Sequence, residues 1–122
     1  MKTAKQILLD AAELLSHRGA WTRDAMARDR NNEPVNVRHE DACKFCALGA
    51  IERSAFYYDG KWHGDEFDLS ACMEVDRART ALRDEIKEKD GSRCWSIPLY
   101  NDQRKRRARD IVALMKKAAK KL

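Results

Sequence analysis

Bulky apolar side chains are scarce: Leu, Ile, Val and Phe together number 22 of 122 residues. So low a share borders on the composition of disordered chains and excludes a core built mainly from large side chains. Long apolar runs are missing too. With 37% charged residues and a mean hydropathy of −0.74, no membrane span is expected. No apolar stretch with a small-residue cleavage site follows Met1-Lys2, so the expected location is cytoplasmic. In that compartment Cys43, Cys46, Cys72 and Cys94 are expected to be reduced. Enzyme signatures are lacking as well: there is no phosphate loop, no G-x-S-x-G and no H-E-x-x-H. A non-enzymatic protein is the expectation. No internal repeat or composition break divides the chain, and 122 residues suit one domain spanning 1–122.

What the chain does have is alanine, charge and a few aromatics. Seventeen Ala, three Trp and three Tyr suit helices packed closely around a small core. Net charge is +5, but nine Lys/Arg against two acids fall within residues 102–122. The first 101 residues are therefore slightly acidic. The basic character belongs to the C-terminal segment, which points to an anionic partner.

The patterning predicts a mainly α fold of about four helices. Thr3-Ala4-Lys5-Gln6 reads as a capping box, and Ile7, Leu8, Ala11, Leu14 and Leu15 follow at helical spacing, with Gly19 as the stop. A first helix over 3–18 results. Residues 19–40 read as an ordered loop: Trp21 folds back on that helix, Ala25-Met26-Ala27 make a turn, and Val35 and Val37 are strand-like. A second helix from Glu40 or Asp41 to about Ala55 is expected to be the buried centre. Gly49 within it costs about 1 kcal/mol of propensity, which points to close approach by another helix. Asp59-Gly60 between aromatics gives either a tight hairpin near 56–63 or a loop whose aromatics cap the core. A third helix is expected over 68–89, with Cys72, Val75, Ala78, Arg79, Leu82 and Ile86 inward and Asp84, Glu85 and Glu88 on an exposed face. An extended connector over 92–101 and a last helix over about 102–121 complete the chain.

Phe45-Cys46-Ala47-Leu48-Gly49-Ala50-Ile51, with Trp21 before it and Asn101-Asp102 and Asp110-Ile111-Val112 after it, resembles a family of small uncharacterised bacterial and phage proteins. That family has a helix–Trp–FCALGA–helix–ND–helix layout. The resemblance implies a compact α-helical domain, often carried on mobile elements. It implies no established activity, so no catalytic residue carries over.

Three sets of residues are candidates for chemistry. On one continuous helix, His39, Cys43 and Cys46 would share a face. With Cys72, Cys94 or His63 as a fourth ligand, they are a weak candidate for structural zinc; otherwise no cofactor is expected. Their bland alternative is that Cys46 and Cys72 fill the core, and thiol redox chemistry is a third. The second set is Arg104, Lys105, Arg106, Arg107 and Arg109, placed at the start of the last helix, where positive charge opposes the helix dipole. Phosphates are their natural partners, although Arg107 or Arg109 pairing with acids of the third helix would make this a merely solvated face. The third set, Tyr57, Tyr58, Trp62 and Trp95, either stacks on bases or roofs the core.

The reading these features support is a small helical binding protein whose basic last helix contacts nucleic acid or an acidic protein surface. A mobile-element inhibitor or adaptor of other proteins is the alternative, and a zinc-stabilised module the third. The loop between the first two helices is too long for a helix-turn-helix.

Overall fold

The structure, a computed structural model, describes residues 2–65, 68–91 and 96–122. The fold is mainly helical. In chain order it runs α1 (Ala4–Ser16), β1 (Ala27–Arg28), β2 (Pro34–Val35), β3 (Lys44–Phe45), α2 (Ala47–Phe56), β4 (Tyr57–Tyr58), β5 (Lys61–Trp62), α3 (Leu69–Asp90), α4 (Ile97–Asp102) and α5 (Ala108–Lys120). The expected connector ahead of the last helix is helical over 97–102, which makes five helices among the described residues rather than four.

Helix α1 starts where expected. The Thr3 hydroxyl accepts the Gln6 N–H at 3.2 Å, but the Gln6 side chain turns forward to Asp10 instead of back to Thr3. Its apolar stripe (Ile7, Leu8, Ala11, Ala12, Leu15) is buried. This helix, not α2, is the hub of the packing, meeting α5, α2 and α3. Burying Ala4, Ala11 and Ala12 on α1 and Ala118 and Ala119 on α5 lets a chain poor in bulky residues close its core.

Residues 20–46 depart most from expectation. Strands β2, β1 and β3 form a small antiparallel sheet in the order β2-β1-β3, with Ala27 opposite both Val35 and Phe45. Lys44 and Phe45 are therefore extended. Helix α2 begins only at Ala47, with Cys46 as its cap, and not near residue 40. Gly49 is tight for a different reason than another helix: a Cβ there would lie 2.0 Å from the Met26 carbonyl oxygen, on the segment leading into β1. The hairpin near 56–63 is formed. Tyr57 pairs with Trp62 across a turn in which Asp59 (φ 54°) and Gly60 (φ 76°) are both left-handed, the requirement of a two-residue hairpin turn.

Helix α3 buries Val75, Ala78, Leu82, Glu85 and Ile86. Cys72 is exposed, so it fills no core. Glu85, expected on the solvated face, is only 2% exposed and pairs with Lys121 at 2.5 Å and Lys117 at 3.7 Å. Packing of α5 over α3 covers it. Glu88, on the rim, meets Lys121 at 3.0 Å, which holds its carboxyl below the ordinary carboxylate range. No helix among the described residues is long and apolar enough to cross a membrane.

Candidate anion-contact surface

The segment carrying the basic run is positioned by a buried amide. Asn101, at the end of α4, is fully buried and makes four hydrogen bonds. Its Oδ1 accepts the Ala47 N–H at 3.0 Å and the Trp21 indole N–H at 2.7 Å. Its Nδ2 donates to the Thr22 carbonyl and to Asp102 Oδ1, both at 3.0 Å. Asp102 in turn accepts the Asp24 N–H. The buried Ala47 N–H, left without a partner inside its own helix, is thus satisfied from α4. Two residues on, the Gly49 N–H donates to the Cys46 sulfur at 3.3 Å. One side chain ties together α2, α4 and the Trp21 segment.

The basic run itself is not helical over most of its length. Residues 103–107 form the turn between α4 and α5, and α5 starts after Arg107. The Arg107 N–H donates to Asp110 Oδ2 at 2.8 Å, so an acid stands in the first turn of α5, where the dipole favours it. The five cations divide into two groups. Arg106 is buried; it pairs with Asp90 at 2.8 Å and lies 3.6 Å from the Tyr100 ring centroid. It is a strut between the turn and the end of α3. Arg104, Lys105, Arg107 and Arg109 are exposed, and among the described residues none forms an ion pair. Pairing with α3 thus falls to Arg106, not to Arg107 or Arg109.

The turn is also held from its other side. Arg23 donates through Nη2 to the carbonyls of Arg104, at 2.9 Å, and of Arg106, and its guanidinium lies 4.8 Å from the Trp21 ring centroid. Four cations are therefore presented on a backbone braced at both faces, which lowers the ordering cost of a partner.

The zinc candidates do not come together as proposed. Because α2 begins after Cys46, no continuous helix carries His39, Cys43 and Cys46. His39 Nδ1 accepts the Asp41 N–H at 3.0 Å. Burial pushes the Cys46 thiol up, away from the thiolate a metal requires. Cys43 and Cys72 are exposed, and His63 stacks on Tyr58 at 3.7 Å. Among the described residues no three His, Cys, Asp or Glu side chains converge on a metal-sized site. Cys94 and Trp95 lie outside the described residues. The other aromatics of the third set are engaged locally: Tyr57 lies under Arg53 at 3.4 Å, and Trp62 packs on Phe56 at 5.4 Å.

The model of a family of unknown function (DUF6197) matches residues 1–121. The chain belongs to this family. Membership of DUF6197 brings no activity with it. No curated protein and no solved structure matches the chain.

Residues that linear reading missed surround the turn. Arg18, two residues past the end of α1, and Arg109 line one hollow of about 450 Å³, together with Leu15, His17, Trp21, Ala108 and Val112. Nothing in their spacing shows this, because more than 80 residues separate the two arginines. The only sequence signal for the true start of α5 was Asp110, three residues after Arg107, in the position of a helix-capping acid.

Proposed function

We propose that this DUF6197 member is a non-enzymatic binding protein whose α4–α5 turn contacts an acidic partner, nucleic acid ahead of an acidic protein face. The observation that carries the reading is the division of labour in the basic run. Arg106 and Arg23 brace the turn, while Arg104, Lys105, Arg107 and Arg109 face solvent without acidic partners among the described residues. Nearby acids offset only part of this charge: Asp102 and Asp110 accept from neutral groups and keep their charge, two against four cations. Asp90 is engaged by Arg106, Asp110 by the Arg107 N–H, and Asp102 by Asn101 and the Asp24 N–H.

The test is fluorescence anisotropy with labelled DNA and RNA across a salt series. The comparison variant changes Arg104, Lys105, Arg107 and Arg109 to Ala and keeps Arg106, whose loss would disturb the fold. If all four cations neutralise phosphates, the slope of log K against log salt reaches about −3 to −4, and it collapses in the variant. An absence of binding at low salt would sink the nucleic-acid reading and direct the search to acidic proteins.

A further inference from the structure

The basic turn ends at a hollow with an apolar wall. Leu15, Trp21, Ala108 and Val112 form that wall, and His17, Arg18 and Arg109 are the ionisable members of the lining. Arg109 belongs to both features: it is one of the four exposed cations of the basic run and a lining residue of the hollow. A polyanion lying along the turn therefore reaches the hollow directly. At about 450 Å³ the space is within the range of small-ligand pockets. What suits it is a flat group with apolar faces, attached to a chain of phosphates.

We infer that this hollow receives one unstacked base of a single-stranded nucleic acid, with Arg18 and Arg109 on the flanking phosphates. The inference rests on the function proposed above and narrows it. In a duplex each base is held within the stack by pairing, so only a single strand offers a free base face without a cost of extrusion. The site is also rigid. The Trp21 indole N–H is fixed to Asn101 Oδ1 at 2.7 Å, and the Arg23 guanidinium lies over the same ring. An aromatic wall held in place loses little freedom when a base packs beside it. Arg18 is exposed and has no ion pair among the described residues, so a phosphate displaces no internal partner.

The experiment uses the full chain and three labelled probes of one sequence at one salt concentration: a short single strand, the same strand with abasic sites replacing its nucleosides, and the duplex. The expected result is that the single strand binds about tenfold more tightly than either of the others, the scale of one base–aromatic contact. Val112→Trp, which fills the hollow without changing charge, should abolish that preference while leaving duplex affinity within about twofold. Arg18→Ala should weaken the single strand more than the duplex. Equal affinity for all three probes, lost together in the four-cation variant, would overturn the inference and leave the proposed function standing. Failure of every probe to bind at low salt would overturn both. Should Val112→Trp fail to fold by circular dichroism, the abasic comparison on the unaltered protein decides.

Discussion

Removing the Asn101 side chain should cost this fold about as much as truncating a large core side chain. In Asn101→Ala the Ala47 N–H, which is wholly buried, loses its acceptor. The half-buried Trp21 indole N–H loses its acceptor and the half-buried Thr22 carbonyl its donor. A buried polar group left unpaired costs about 1–3 kcal/mol, and a half-buried one, which water partly reaches, about half of that. One full and two half penalties amount to about 4 kcal/mol, a large part of the 5–15 kcal/mol typical of a domain. Urea unfolding followed by tryptophan fluorescence reads the loss. With a slope of about 2 kcal/mol/M, the midpoint should fall by about 2 M at an unchanged slope. Asn101→Asp keeps the acceptors for Ala47 and Trp21 but sets a carboxylate against Asp102 and the Thr22 carbonyl. It should therefore lose part of this stability at neutral pH and recover some on acidification. A midpoint shift below about 0.5 M for Asn101→Ala would refute the view that this amide holds the α2–α4 junction.

Two further outcomes follow from the packing. Gly49→Ala places a methyl 2.0 Å from the Met26 carbonyl oxygen, a backbone atom, so the sheet segment or α2 must shift. Although alanine is the better helix former, the variant should lose about 1–3 kcal/mol in the same urea assay, and a stabilised variant would contradict the geometry. The Glu88 carboxyl, held by Lys121 below its ordinary value of 4.5, stabilises the folded state above that value. Its contribution disappears as pH falls through the folded value. Glu88→Gln, which removes the titrating group and leaves the Lys121–Glu85 pair in place, should accordingly show a shallower loss of melting temperature below pH 4.5 than the parent, and parallel curves would show that the Glu88–Lys121 pair contributes nothing.

Local chemistry made some of the fold legible. Thr3 caps α1, Asp59-Gly60 turns the hairpin, and Asp68 and Gly91 bracket α3. Each of these signals acts within a few residues of itself. The start of α2 is different. From Ala42 to Ile51 the chain is almost uniformly apolar or small, and neither helix nor strand is favoured by period. The boundary at Cys46 is set by β1, which pairs with Lys44 and Phe45, and by Asn101, more than 50 residues later. The zinc face depended on that boundary and went with it. The basic run was found in the sequence as a composition signal, but its division into braced and free cations was not. That division needed Asp90, Tyr100 and Arg23, each of which lies elsewhere in the chain. Glu85 was misplaced because its charge outweighed its spacing: it stands three residues after Leu82, on the buried stripe, where Lys117 and Lys121 of α5 and its end meet it.

The partnership of α1 with α5 has a consequence during synthesis. Chains emerge from the ribosome N-terminus first, at about 5–20 residues per second. Helix α5 is made roughly ninety residues after α1. The first helix therefore waits for several seconds with its alanine and leucine face without its main partner, and α2 waits for Asn101 to complete its first turn. A shortened product ending before Ala108 would leave α1 with only α2 and α3 to cover its apolar stripe. Helix α5, made after α1, thereby decides whether the first helix is covered.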